Sequence, residues 1–321
     1  MSHASPPASH PQTVRTDDYD SAVGSEDGSS TTSMDDARDA FDDAIESAAH
    51  LQNEDPDMKH HMLQTLNEGK LYHAPVVAPG EVLDVGTGKG IWAREFADCF
   101  PSAVVTGVDK LPIQGSWATA NCRFEVDDVC KEWTYRKGRF GFIHIRCLLG
   151  YIDDWNTLAQ QAYRCMEPGG WIEHAEISAE IASQGAPIPP DHIFARWNHS
   201  VRQAGATLSS AAWMEQAGFV VVKTKTLRLP IGPWPREQRL KEVGAYHKKT
   251  WQDGIHRLAS QLRLNVLSMG EKEVKAFMRE MVKAFDDRTL LPYCEYSHTW
   301  AQKPLEGGAG DKGKGRACDD S

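Results

Sequence analysis

Residues Glu81–Gly90, EVLDVGTGKG, run an apolar segment (Val82, Leu83, Val85) straight into a turn with glycine at every second position, and the helix-like stretch IWAREFADCF follows. A glycine turn between a strand and a helix lets a ligand approach the backbone, with free N–H groups pointing at it. The spacing narrows the ligand. A dinucleotide fingerprint requires G-x-G-x-x-G. Here Gly86, Gly88 and Gly90 give G-x-G-x-G, and Ile91 stands where the third fingerprint glycine belongs.

Four further segments repeat the alternation of strand and helix that defines an α/β sheet. AVVTGVDK (103–110) reads as a second strand ending in Asp109. In open α/β sheets, ligands bind outside the carboxyl ends of the strands. A carboxylate there has two oxygens with which to accept from both hydroxyls of a ribose. CRFEVDDV (122–129) alternates as a strand should and ends in Asp127–Asp128. Either acid can accept from an adenine amino group while the next N–H meets a ring nitrogen, and the two stay open as alternatives. In RFGFIHIRCLLGYIDDW (139–155), Phe142, Ile143 and Ile145 suit a central strand buried on both faces. Arg146 is expected to emerge at the cleft, and His144 to be a satisfied core histidine. Pro168–Gly169–Gly170 marks a turn between a helix over 155–166 and a fifth strand over 171–177.

Taken together, these motifs resemble the fungal LaeA-like branch of class I S-adenosylmethionine (SAM) methyltransferases. The likeness runs from DPDMKHHMLQTLNEGKLYHAP (55–75) through VLDVGTGKGIWAREFAD, VDKLPIQGSW, CRFEVDDVCKEWTY, FIHIRCLLGYIDDW and PGGWIE. It continues to RLPIGPWP (228–235) and YSHTWAQKP (296–304). The resemblance implies a Rossmann-like seven-stranded class I methyltransferase sheet, α/β with helices on both faces and a helical insert near 230–288 before the last strand. It implies SAM as the methyl donor. The cofactor-binding residues it implies are Asp84, Gly86, Thr87, Gly88, Gly90, Asp109, Lys110, Asp127, Asp128, Val129 and Arg146. It favours Asp128–Val129 as the adenine pair. Two positions depart from the family pattern. Gly141 follows Phe140 where the family reads Phe-Asp, which would loosen the start of the fourth strand. Lys89 replaces a small or polar residue, extending into solvent or toward the methionine carboxylate.

Residues 1–57 carry fourteen acids against two bases, a net of −12, while the whole chain carries −10. An acidic arm rich in Ser, Thr and Asp cannot bury enough apolar surface to fold. It reads as disordered, as does the low-complexity tail over 304–321, leaving one domain over 58–303. The rest of the chain is near neutral, which argues against a nucleic-acid partner. Seven scattered cysteines without ligand spacing argue for a reducing compartment and against zinc. No apolar run reaches membrane-spanning length. The chain is therefore expected in the cytoplasm, with a nuclear location as the alternative, and with no membrane partner.

Met58, Met62, Leu63 and Leu66 have helical spacing, predicting an N-terminal helix over 58–71, with Tyr72 and His73 closing the site behind it. Tyr151, Glu176 and Trp234 are candidate acceptor-pocket residues, with Tyr246 and Trp251 as further walls. The nearest candidate bases are His144, Tyr151, Glu173, His174 and Glu176, and no spacing singles one out, so the catalytic role stays unassigned. Asn198 heads a sequon inside a predicted helix and is read as having no modification role. The function expected is methyl transfer to a small molecule of fungal secondary metabolism. The alternatives are a LaeA-like regulator acting through a protein partner of the acidic arm, and a SAM-binding protein without turnover.

Overall fold

The computed structural model describes residues 56–305 apart from 113, 115–118, 207–208, 263 and 265–267. The arm expected over 1–57 and the tail expected over 304–321 fall almost entirely outside the described residues. A seven-stranded sheet carries the fold: β1 Glu81–Val85, β2 Val104–Asp109, β3 Cys122–Val126, β4 Phe140–Arg146, β5 Met166–Ser183, β6 Val220–Pro230 and β7 Pro292–Gln302, in the order β3-β2-β1-β4-β5-β7-β6. The first five strands run parallel, and β7 is antiparallel to both its neighbours. This is the α/β architecture that the strand–helix alternation predicts. Seven described helices connect and cover it: α1 Pro56–Leu66, α2 Ile91–Cys99, α3 Trp155–Cys165, α4 Ile193–Gln203, α5 Ser210–Ala217, α6 Gln238–Gln261 and α7 Glu271–Ala284. The last two form the helical insert between β6 and β7.

β4 is the apolar centre, with Phe140, Phe142, Ile143 and Ile145 all fully buried. One face packs on α2 through Phe142, Trp92 and Phe96, and the other on α3 and α5 through Ile143, Ile145, Leu158 and Met214. Gly141 does more than loosen this strand. A Cβ built there would lie 2.0 Å from the carbonyl oxygen of Pro79, so the bare backbone is what lets the loop before β1 cross β4. A register shift between Phe140 and Phe142 marks the same point.

β5 differs from the expectation at both ends. It begins at Met166, absorbs the Pro-Gly-Gly turn as a bulged start, and runs to Ser183 rather than Ile177. Its extension outruns β4, whose pairing ends at Arg146–Ala175. The unpaired backbone edge needs partners, and α4 supplies them. The Asn198 amide donates to the Ile181 carbonyl at 2.7 Å and accepts from the Ile181 N–H at 2.8 Å, while the Trp197 indole donates to Ala179 O. The sequon asparagine is thus a buried structural amide.

The insert docks through His247. Its Nδ1 donates to Pro230 O at 3.0 Å, and its Nε2 accepts from the Trp251 indole at 3.1 Å. Both bonds are satisfied by a neutral ring, and burial pushes its pKa down to about 4. The N-terminal helix is shorter than predicted, ending at Leu66, with Glu68 and Gly69 at positive φ beyond it.

Two outcomes test this packing. Gly141→Ala should cost about 2–4 kcal/mol in denaturant unfolding, because backbone cannot yield to the new methyl as a side chain would. His247 binds its proton near pH 6.5 when unfolded but only near 4 when folded, so its contribution is intact above 6.5 and is lost as pH falls toward 4. Stability measured across that window should fall by up to about 1.4 kcal/mol more per pH unit in wild type than in His247→Gln.

Candidate functional site

The glycine turn opens at the carboxyl end of β1. Gly86, Gly88 and Gly90 all hold positive φ, at 67°, 56° and 77°. Their surroundings differ. A Cβ at Gly86 would meet Leu148 at 2.4 Å, and one at Gly90 would meet the Phe124 ring at 2.3 Å, so these two are packing glycines. At Gly88 no heavy atom lies within 4 Å of the Cβ position. That open flank faces a crevice of about 130 Å³.

Asp84 shapes the turn from below. It is 3% exposed; its Oδ2 accepts from the Thr87 hydroxyl at 2.6 Å and its Oδ1 pairs with His144 Nδ1 at 2.8 Å. His144 stacks on Trp92 with centroids 3.6 Å apart. Burial lowers its pKa even against the raising effect of Asp84. Asp109 Oδ2 accepts from the Gly88 N–H at 2.8 Å, tying the second strand tip to the turn. Asp128 sits at the third tip, where its Oδ1 accepts from Cys130 N at 3.0 Å and meets Lys110 Nζ at 3.2 Å. Burial opposes ionisation there, but the amide and the ammonium outweigh it and hold the Asp128 carboxyl below its ordinary value.

Of the predicted cofactor residues, Asp84, Gly86, Thr87, Gly88 and Arg146 line the crevice. Asp109, Lys110, Asp127, Asp128, Val129 and Gly90 flank it at the tips of β2 and β3 and at the start of α2. Lys59, His60, Trp92 and Cys147 line it without having been foreseen. His60 bridges the site: its Nδ1 meets the Arg146 guanidinium at 2.9 Å and its Nε2 meets Glu95 at 3.0 Å. Burial, then Arg146, lowers its pKa. These partners lie far apart in the chain, and no local pattern announces them. Gln114 also escaped the sequence reading; its amide donates to Gly88 O and Leu111 O.

A second cavity of about 210 Å³ adjoins the first and shares Lys59 and Cys147 with it. Met62, Ile177, Ile255, Leu258 and Trp251 give it apolar walls, and Tyr151, Glu176 and Thr250 give it polar ones. Cys147 stands between the two with φ 55°, an uncommon backbone state for a non-glycine residue.

Tyr151, Glu176 and Trp251 are thus brought to one cavity, and four other expected residues are not. Tyr246 packs on the cluster that holds Leu66, Leu229 and Tyr296. Tyr72 packs against Phe96, Phe100 and Phe142 in the core below α2, because its aromatic ring finds an apolar cluster there. Trp234 spends its indole N–H on Pro292 O and fastens the insert to β7. His73 stacks on Trp300 rather than facing the crevice. Among the candidate bases, Glu173 is fully buried and accepts from His73 N, Ala74 N and His298. His144 and His174 are likewise buried, which leaves Tyr151 and Glu176 exposed to the cavity.

The residues present suit an adenosyl nucleoside. An open glycine flank admits close backbone approach, and acids at two neighbouring strand tips match the donors of a ribose and an adenine. Among the described residues, no group of three or more His, Cys, Asp or Glu could hold a metal ion, and no helix is long and apolar enough to cross a membrane.

The methyltransferase domain family matches residues 58–224. The methyltransferase pytC of Aspergillus terreus is 37% identical over 228 residues, covering 68% of this chain and 70% of that protein. The secondary metabolism regulator LAE1 of Cochliobolus heterostrophus is 31% identical, covering 63% of this chain and 70% of its own length. A solved structure, the Haemonchus contortus phosphoethanolamine N-methyltransferase 2 in complex with S-adenosyl-L-methionine, aligns with TM-score 0.45 and 19% identity over 76% of this chain and 52% of that one. With over half its length matched by that family and a relative this similar, the chain belongs to the methyltransferase domain family and is a class I SAM-dependent methyltransferase.

Proposed function

We propose that the crevice at the glycine turn holds the methyl donor, that the adjoining cavity holds a small-molecule acceptor, and that the reaction serves fungal secondary metabolism. The observation that carries this reading is the shared wall: two cavities of different character meet at Lys59 and Cys147. The domain responsible spans 58–303.

When bound, the donor supplies a methyl group on a sulfonium that leaves readily. The chain's own residues then have to align two ligands and exclude water. Gly86, Thr87 and Gly88 present backbone to the donor. Asp109 and Asp128 accept from its ribose and adenine, with Val129 N–H beside the ring and Lys110 holding Asp128 in place. Asp127 is the alternative adenine contact. Asp84 is 3% exposed and accepts from Thr87 while pairing with His144, so its role is to fix the turn. Arg146, held by His60, closes the side nearest α1. Lys89 lines the same crevice. On the acceptor side, Trp251, Ile255 and Met62 enclose an apolar body, and Tyr151 and Glu176 meet its polar group.

A second reading rests on the likeness to LAE1, which is named a regulator of secondary metabolism. In that case a protein partner binds the acidic arm over 1–57. Capture of such a partner by the full chain, lost on trimming the arm, favours the regulator; transfer of label from SAM to a small molecule in a metabolite extract favours the enzyme.

Calorimetry tests the donor site directly. Asp109→Ala should weaken SAM binding by roughly 1.5–3 kcal/mol, the scale of hydrogen bonds to a charged group. Unchanged affinity in a folded variant removes Asp109 from the ribose role. Trp251→Ala should leave SAM affinity within about twofold while raising the acceptor KM about tenfold or more, the direction expected from losing a buried aromatic wall.

A further inference from the structure

The acceptor cavity has one wall whose chemistry reaches beyond alignment. Glu176, one residue past the point where β4 stops pairing with β5, presents its carboxylate to the cavity with the side chain 11% exposed. Its Oε2 accepts from Leu149 N at 2.9 Å and its Oε1 from Ile177 N at 3.0 Å, so the group is fixed and not a mobile surface acid. Behind it lies His174, two residues earlier and on the same face of the strand. His174 is fully buried beside Trp155 and Trp213. Its Nδ1 meets the Ser210 hydroxyl at 2.8 Å. Its Nε2 is buried without a hydrogen-bond partner and stands 3.6 Å from Glu176 Oε2.

A buried ring nitrogen without a partner is costly. It stands 3.6 Å from Glu176, the one carboxylate that lines the cavity. The Ser210 hydroxyl is both donor and acceptor. It can therefore give its proton to Nδ1 and leave the ring proton on Nε2, facing Glu176. Ser210, His174 and Glu176 then form a line ending in the cavity. The other charged and titratable groups of that cavity are Lys59 and Cys147, Tyr151 on the loop after β4, and His247 and Arg257 on α6. His247 is committed to Pro230 and Trp251, as described above.

We propose that Glu176 takes the proton of an acidic hydroxyl, phenolic or enolic, on a compact apolar acceptor, and that His174 is the positioning residue that holds Glu176 for that task. This rests on reading the second cavity as the acceptor site. An amine or a thiolate attacks with a lone pair already available and needs no fixed base beforehand; a hydroxyl gains most from one. In the step, the acceptor O–H bond breaks and its proton goes to Glu176. The oxygen forms the new bond to the methyl carbon, and the carbon–sulfur electron pair departs with the donor's sulfur. The proton leaves Glu176 for solvent when the cavity opens. The cavity of about 210 Å³ and the Trp251 wall suit a flat body of one or two rings.

Two measurements on the full chain test this. In nitrogen-15 NMR, with the His174 signals assigned by their loss in His174→Gln, the ring proton should sit on Nε2. It should move to Nδ1 in Glu176→Leu, where nothing remains to accept it. A proton on Nδ1 in wild type, unmoved by the substitution, overturns the pairing. In the second, labelled SAM is offered with 1-naphthol, 1-naphthylamine and 1-naphthalenethiol as matched probes, and SAM affinity is measured alongside. Label should pass to the naphthol. Glu176→Gln should lower kcat about 100-fold or more with SAM affinity unchanged, the usual scale for a lost general base. Glu176→Asp should recover part of the loss. His174→Asn should lower kcat about tenfold without raising KM and should shift the acidic limb of the pH profile, which a merely structural loss would leave in place. A wild-type chain that binds SAM but labels the amine or none of the probes, or a Glu176→Gln variant at full rate, overturns the proposal. A wild-type chain that does not bind SAM fails at the donor crevice instead, a result that separates the two readings.

Discussion

A single buried carboxylate sets the shape of the crevice at the glycine turn. Asp84 lies buried one residue before the end of β1, where an unpaired charge would be prohibitive. It is tolerated because both oxygens are used, one by the Thr87 hydroxyl and the other by His144. The first bond curls the chain back into the glycine turn. The second explains an imidazole in the middle of an otherwise apolar central strand. Trp92 completes the arrangement by stacking flat on that imidazole, so the first turn of α2 is registered against β4 as well as β1. Removing one partner of such a set leaves the other buried and unsatisfied, which is the costly case. The turn that meets the ligand is therefore only as well formed as the polar pair beneath it.

A second buried carboxylate does comparable work for the segment between α1 and β1. Glu173 accepts from the backbone of His73 and Ala74, each at 2.7 Å, and from His298 at 2.8 Å. Burial opposes its ionisation, but these donors outweigh it and keep its pKa below the ordinary range. Through it, the strand-like connection after α1 is stapled to β5 and β7. The position of α1 over both cavities follows from that anchor and from Met62, Leu63 and Leu66 packing against Leu229, Val243 and Tyr296.

The local signals in the chain were enough for the sheet. Apolar runs ending in acids located the strand tips, and the glycine spacing separated this turn from a dinucleotide fold. What escaped was whatever depends on tertiary distance. His60 and Arg146 are partners across 86 positions, and nothing around either residue points to the other. Tyr72 and Trp234 misled because large aromatics fill a core as readily as they wall a pocket. Gly141 misled for a different reason: a glycine in a strand reads as weakness, while its cause here is a crossing backbone in a remote loop. Strand length failed too, since the extension of β5 past the end of β4 is sustained by β7 on one edge and by α4 side chains on the other, both remote in sequence.

The helix α1 touches both compartments. Lys59 belongs to each, His60 and Leu63 line the crevice at the glycine turn, and Met62 lines the other cavity. Its exit passes through Glu68 and Gly69, both in the left-handed region. One short element thus walls two cavities at once, and the hold that Glu95 and Arg146 keep on His60 fixes the shape of both through a single imidazole.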